Sequence, residues 1–533
     1  MKSQYLIKLF FYFTVLFSAL FTKAQNADLD ATFGTNGIVT FTTVTSNNLG
    51  HGGLKTILNG DNTLFLFGVN DQAAGGSEKM SFVSKLNFNG SPVAAFGSGG
   101  GTYQFGGYTQ NRIPKTINKL STGEIVFTSV DNIYFGGFYG QPTTYIQKLS
   151  TSGSLSAQNI ISTYIPYSTF DFYTFQASSS ALITATDGIL LGGKFKPKQA
   201  GASVSTYNSA PFIGFVASFN SSTNLVTSGW GNAGVLTLPG VSDIVDMKLS
   251  GTNLFVLGID GFTQSGRVFK INNSGSLVTA FGGTGFINVS ASAVSKIQVD
   301  GSGNAYLLFP NNRTVAKYNG TNGSLVTSWG NNGFAATTVT GYGNASNTAL
   351  AFDNESKLVV ASRFGYDVLV TRLNTSGLID ESFSGDGKGY SQGAGVTATE
   401  VNDVVTDANN DVYVTGKSIG AGHNAARAFV LKMKAEIPVT AISLNVSSLS
   451  GFASIYGNVS NSLNYQVSGQ NLTNNIIISA SNGFEISLNN SSYTSSLSLS
   501  PSSGIVSPTI IYTRMASSVS AGTLTGSIFQ SST

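Results

Sequence analysis

Three stretches of this chain, far apart, are variations on one sentence: KLNFNGSPVAAFGSGGGTYQF (85–105), KINNSGSLVTAFGGTGFINV (270–289) and KYNGTNGSLVTSWGNNGFAATTV (317–339). Each runs from a lysine through a glycine-containing turn and a short apolar run to an aromatic–Gly–x–x–Gly. A catalytic loop has no reason to recur; a unit of structure does. The refrain's aromatic falls at Phe33, Phe96, Trp230, Phe281, Trp329 and Phe383, where Ser384 replaces the glycine. The steps are about 50–65 residues, in the range of repeat architectures, except for one double interval between Phe96 and Trp230. Within it, YIQKLSTSGSLSAQNI (145–160) is a worn copy that keeps Lys–Leu and Gly–Ser–Leu but has lost the aromatic. With a last unit ending at FVLKMKA (429–435), seven units result.

Each unit reads as four short strands. LKTILN meets NTLFLFGV across the turn NGDN, SFVSKLNF follows, and GTYQF closes the set. Later copies such as SKIQVDGSGNAYLLFP (295–310) and VNDVVTDANNDVYVTG (401–416) repeat the hairpin, and helical periodicity is absent. Four-stranded units of this size cannot bury both faces alone but can do so arranged radially, so the expected fold is all-β, a seven-bladed β-propeller. The phase of the repeat predicts closure. The chain enters on the last strand of a unit, Ile38–Phe41, and leaves on the third strand of another, so Ile38–Phe41 is expected to complete the blade of residues 401–433. That would remove the open sheet edges.

The units resemble delta-60 repeats, whose pattern runs from a basic residue, an aromatic and Asn through Gly–Ser–Leu–Asp to Phe–Gly–x–x–Gly. DLDATFGTNGIVT (28–40) and TRLNTSGLIDESFSGDG (371–387) carry it best, and the middle copies lack the acid. The resemblance covers about 28–434 and implies that the acid, where present, partners the basic residue. After AEIP the composition turns Ser/Thr/Asn-rich, with period-2 runs such as LNYQVSG, NNIIISA and FEISLN that argue for a β-sandwich. YQVSGQNLTNNIIISASNGFEIS resembles Ig-like modules of secreted Bacteroidetes-type proteins, which end in a further strand; the record is expected to be a fragment or the sandwich to have an unpaired edge. The expected division is a signal peptide at 1–24, a propeller at 25–434, a linker at 435–439 and an Ig-like sandwich at 440–533.

Lys2 and Lys8, the apolar run from Leu9 to Phe21 and the Ala24–Gln25 junction read as a secretory signal, so a secreted or outer-surface protein without stable membrane insertion is expected. The chain has no cysteine, which excludes disulfides and thiolate metal sites. Charged residues are only 10%, against roughly 25% in ordinary domains, and a net charge of +3 gives no basis for nucleic-acid binding.

Chemistry is sparse. His51 and His423 are expected on loops of one face near the seam, where they are candidate ligand contacts; two exposed loop histidines without a metal are expected, a shared metal or polar site being the alternative. DGSGN (300–304) and DANND (407–411) imitate calcium loops. Yet Ala305 and Val412 replace the required glycine, and Asn311 and Ser418 the closing acid, so both read as hairpin turns. Lys85, Lys148, Lys270, Lys317, Arg372 and Lys432 recur at one position, broken by Ser218. Third-strand residues with buried stems and solvated heads are expected, the alternative being a ring gripping an acidic polysaccharide. The longest insert, 192–211, is read as a loop offering Lys194, Phe195, Lys196, Lys198 and Tyr207 to a ligand. No nucleophile–base pair or cofactor motif emerges. The expected function is a non-catalytic binding or adhesion scaffold for an extracellular glycan or protein, without cofactor. A carbohydrate-active propeller enzyme with an accessory sandwich is the alternative, its acids converging at the ring's centre.

Overall fold

The computed structural model describes residues 29–532, except 42–50, 72–78, 98–99, 106–111, 132–133, 136–137, 140–142, 161–170, 185–187, 199–210, 224, 262, 264, 290–293, 338–345, 385, 392–396, 420–425, 436–440, 471, 473 and 503. The described residues form two compact units, 29–435 and 441–532, and every regular element longer than a turn is a strand.

In the first unit the recurring hairpins build seven four-stranded antiparallel sheets, over 51–105, 112–160, 171–237, 243–289, 296–336, 346–390 and 398–433. Six take their strands in chain order. The seventh takes its fourth from the other end of the chain: Ile38–Thr40 pairs with Ala426–Met433 in the register Ile38↔Leu431, Val39↔Val430 and Thr40↔Phe429. The first strand of each sheet contacts the first strands of the sheets before and after it, and Ala398–Thr406 of the seventh meets His51–Asn59 of the first. The succession closes on itself, which makes the arrangement β-propeller-like.

Alternation within the second strands explains why the sheets stack. Leu64 and Leu66 turn one way, into a cluster with Tyr413 and Val430 of the seventh sheet. Phe65 and Phe67 turn the other way, onto Ile117, Ile125 and Phe127 of the second. Each sheet thus buries both faces, at roughly 1.5–3 kcal/mol per large apolar side chain. The refrain lies in these seams. Its aromatics are all buried, and four meet a second-strand ring of their own or the closing sheet: Phe33 on Tyr413, Phe96 on Phe65, Phe281 on Phe255 and Trp329 on Tyr306. The glycine after the aromatic donates its N–H to a turn carbonyl of the following sheet: Gly34 to Asn89, Gly97 to Ser152, Gly231 to Ser274, Gly282 to Asn322 and Gly330 to Ser376, at 2.8–3.0 Å. The refrain is therefore a latch between neighbours, and its recurrence follows from a recurring seam. Where the latch closes there is no room for a side chain. A Cβ on Gly275 (φ +80°) would lie 2.4 Å from the Gly231 nitrogen and 2.7 Å from the Trp230 ring.

The second unit pairs a four-stranded sheet, ordered 441–444, 463–470, 506–515, 484–487, with a three-stranded one, ordered 496–499, 476–480, 528–531. Tyr465, Val467, Ile476, Ile478, Ile486, Ile511 and Ile528 share its core.

Candidate functional site

The recurring cations lie on third strands, as expected, but their heads are not left to water. Lys85, Lys270, Lys317, Arg372 and Lys432 each stand about 5 Å over an aromatic ring: Phe65, Phe255, Tyr306, Phe383 and Tyr413 respectively. The hairpin turn between the first two strands supplies a partner for most: Lys85 pairs with Asp61 at 3.2 Å, Lys317 with Asp300 at 4.0 Å, and Lys432 with Asp411 at 2.8 Å. In the two units that keep the refrain's acid, that acid joins in. Asp30 meets Lys432 at 3.0 Å, and Asp380 meets Arg372 at 2.7 Å with Asp353 at 3.6 Å on the other side. Burial would raise Asp30 and Asp380, but hydrogen bonds from Thr32 and Lys432, and from Ser382 and Lys357, outweigh it and hold both carboxyls below their usual range. Elsewhere the acid position is Val93, Thr227, Val278 or Val326, and what remains is its backbone N–H, which donates to the carbonyl of the residue at the cation's place. Asp300 and Asp407 accept the N–H groups of their own turns (Ser302 and Asn304; Asn409 and Asp411), as hairpin acids do.

A second set of cations obeys different geometry. The first strands enclose an axial cleft of about 600 Å³, lined by residues of six of the seven sheets. Aligned on the strand pairing, one position presents Lys55, Thr116, Asp246, Lys296, Ala349 and Asp403, with Lys115 on the bulge just before it; two residues on lie Lys248 and Gln298. Five of the first strands carry a bulge just before this position: at Leu54, Lys115, Val245, Thr348 and Asn402 the register shifts by one. A bulge re-aims side chains and frees backbone groups. The aspartates accept backbone N–H groups from the first strand of the following sheet: Asp403 Oδ2 that of Thr56 at 2.9 Å, and Asp246 Oδ2 that of Ile297 at 3.1 Å. Each carboxylate thus bridges to the sheet that follows and sits next to that sheet's lysine. Asn402 donates to the Gly53 carbonyl at 2.8 Å, and Gln298 to the Leu350 carbonyl at 2.6 Å.

Among the described residues, the ammoniums of Lys55, Lys115 and Lys296 make no ion pair or hydrogen bond, and Lys248 has only Asp246 at 3.7 Å. Burial, reinforced by the Lys248 charge, brings Lys55 down to about 8, and burial also lowers Lys115, with Lys194 adding to the effect. Burial raises Asp403 against the opposing pull of Lys55. Concentrated, weakly compensated positive charge in a walled cleft attracts anions.

A second cleft, of about 800 Å³, lies beside the worn unit, between Lys148, Glu124, Leu190, Phe219 and Trp230.

The residues singled out in the insert behave otherwise than expected. Ile189–Lys198 is a strand, the second of its sheet, and not a loop. Phe195 is buried in the core against Phe215, with ring centroids 5.8 Å apart. Lys194 pairs with Asp243 at 2.6 Å, and both Lys194 and Lys196 stand over Phe212. Two strand features misled. Gly192 and Gly193 read as loop, yet a Cβ on Gly192 would meet Ile244 of the next sheet at 2.8 Å. Pro197 lies beyond the last pair with the third strand, Phe195↔Ile213, so its missing N–H costs no bond on that side. Lys198 ends this strand, and His51 opens the strand His51–Asn59, paired with Asn70, instead of lying in a loop. Tyr207 and His423 lie outside the described residues. The described ones among these seven thus lie on strands of two different sheets, His51 in the first and Lys194 to Lys198 in the third, while the cleft gathers other lysines. The signal was there in the shared Lys–Thr–Ile of 55–57 and 115–117, which places a lysine within each of two first strands.

No protein-family model and no curated protein matches the chain. Among solved structures it is similar to streptogramin B lyase (12% identity over 74% of this chain and 97% of that one, TM-score 0.41). It is also similar to the parainfluenza virus 5 hemagglutinin-neuraminidase ectodomain (10% identity, 82% and 91%, TM-score 0.41). A third is the PQQ-bound aldose sugar dehydrogenase of Streptomyces coelicolor (10% identity, 60% and 93%, TM-score 0.36). These likenesses are loose, and the description of the fold rests on this chain's own strand pairing.

Proposed function

We propose that the protein is an exported, non-catalytic binding scaffold: a seven-bladed β-propeller of delta-60 type, closed by its N-terminal strand and carrying an Ig-like sandwich, which meets an extracellular glycan or protein at the axial cleft. The observation that carries this reading is the cleft itself. Six sheets converge on it with four lysines and two side-chain amides, while the equivalent cations of the outer ring are consumed by rings and turn acids. A rigid ring that leaves polar groups unspent at one place has the form of a binding site. Lys194 and Phe195 are not contact residues in this reading, since both are held within the sheet structure.

The full chain, labelled and applied to arrays of glycans and of extracellular proteins, tests the reading. Retention of an intact ligand supports it. Release of shortened or unsaturated sugars would favour the carbohydrate-active alternative instead, and an array on which nothing is retained would count against both.

A further inference from the structure

Resting on that reading, the geometry points to an acidic sugar as the ligand: a uronate whose carboxylate is gripped by Lys55, Lys115 and Lys296 and whose hydroxyls donate to the amide oxygens of Gln298 and Asn402. Three properties of the cleft support this assignment.

The first is charge. Lys55, Lys115, Lys248 and Lys296 face Asp246 and Asp403 across about 600 Å³, so cations outnumber carboxylates two to one. Both carboxylates already accept a backbone N–H from the following sheet. Each therefore has a structural task, which leaves the ammoniums with donors to spare. A carboxylate entering here forms charge-assisted hydrogen bonds in partly desolvated surroundings, where they are stronger than in water.

The second is the polarity of what remains. One N–H of each of the Gln298 and Asn402 amides is spent on the Leu350 and Gly53 carbonyls. Each amide keeps its oxygen as an acceptor beside one remaining N–H. An ionised carboxylate alone, such as an acidic peptide's side chain, has nothing to donate to those oxygens. A sugar acid supplies an acceptor for the lysines and donors for the amides at once.

The third is size. The volume suits one or two sugar rings and not a folded protein, which places the contact at the end of a chain or on a free saccharide.

Lys55 adds a signature. Its neighbours from the packed strands are Lys248, Asp403, Asp246 and Lys296, and it loses its proton near pH 8. A uronate is ionised throughout the neutral and alkaline range, so affinity is expected to be level from about pH 6 to 7 and to fall as pH rises through 8.

The experiment uses the full chain with three probes, D-galacturonate, D-galactose and oligo-aspartate, followed by ligand-observed NMR and calorimetry. Galacturonate binds, galactose and oligo-aspartate at least about tenfold more weakly, and Lys55→Gln and Lys296→Gln each weaken galacturonate by about tenfold. Lys434→Gln, on the surface, leaves it unchanged. Circular dichroism and the unfolding midpoint show that each variant is folded. Equal binding of galactose, tighter binding of oligo-aspartate, or indifference to pH between 7 and 9.5 overturns the inference. A glycan retained on the array but unaffected by Lys55→Gln and Lys296→Gln sinks this assignment and leaves the scaffold reading standing.

Discussion

The molecule carries two rings of cations, and they have opposite fates. The outer ring, on third strands, comes with the repeat: Lys85, Lys270, Lys317, Arg372 and Lys432 each find an aromatic face, and four of the five a carboxylate as well. Lys270 finds the Gly320 carbonyl of the next sheet instead, at 2.6 Å. The inner ring, on first strands, is irregular: at one register position or on the bulge beside it stand three lysines, two aspartates and an alanine. Recurrence marks what every unit needs in order to stack. Departure from recurrence, at a position where all units converge, marks what only the whole ring can use. In a repeat protein, then, the most conspicuous pattern describes the scaffold, and function is sought where equivalent positions disagree.

The contrast can be broken in several ways, beginning with the largest effect. Arg372 is 1% exposed between Asp353 and Asp380. Arg372→Met leaves buried Asp353 without its cation and Asp380 with Lys357 alone, and is expected to cost about 3–5 kcal/mol in chemical unfolding; a loss below about 1 kcal/mol would show the outer ring to be incidental to stability. Gly275→Ala forces a Cβ into the latch against Gly231 and Trp230 and is expected to cost about 2–3 kcal/mol by the same measurement.

The third test is pH. Lys55 has its folded-state value lowered from 10.5 to about 8. Between those values the unfolded chain holds the proton and the folded one does not, so stability rises with pH across that window. A gain on the order of 1 kcal/mol is expected in unfolding midpoints taken from pH 8 to 10.5, and Lys55→Gln should abolish it. The outer ring responds in the same sense but in a different window, in acid. Asp30 and Asp380 have lowered values, so their contribution is whole above the ordinary carboxylate range and is lost as pH falls through the lowered ones. The smallest effect belongs to Lys85, whose partner Asp61 is half exposed: Lys85→Met should cost no more than about 1 kcal/mol.

Much of the first unit was legible because its determinants are local and repeated. The turn glycines, the buried aromatics at Phe33 to Phe383 and the pairing of Ile38 with Leu431 all follow from counting units and noting where the count starts. Asp300 and Asp407 were readable as turn residues for the same reason. The inner ring was not, because a bulge shifts the phase of a strand by one residue. Which way Lys55 or Lys115 faces depends on a register change that alternation alone does not announce. The insert was misread where Gly192–Gly193 and Pro197 imitate a loop; their reasons lie in a neighbouring sheet and in the end of a partner strand, both distant in sequence. The solvated heads assigned to the outer cations failed likewise, since Asp353 and Asp411 come from turns whose proximity only the fold creates.

The clasp between Ile38–Thr40 and Ala426–Met433 joins residues about 390 positions apart. A ribosome delivers the beginning of that clasp long before its end, so the opening segment must wait, unmatched, while six sheets assemble behind it. Closing the circle is thus expected to be the slow, final act of maturation, governed by the entropy of bringing two distant ends together. A chain cut short anywhere before Val430 would hold its sheets in an open arc with two bare rims, ready to join a copy of itself.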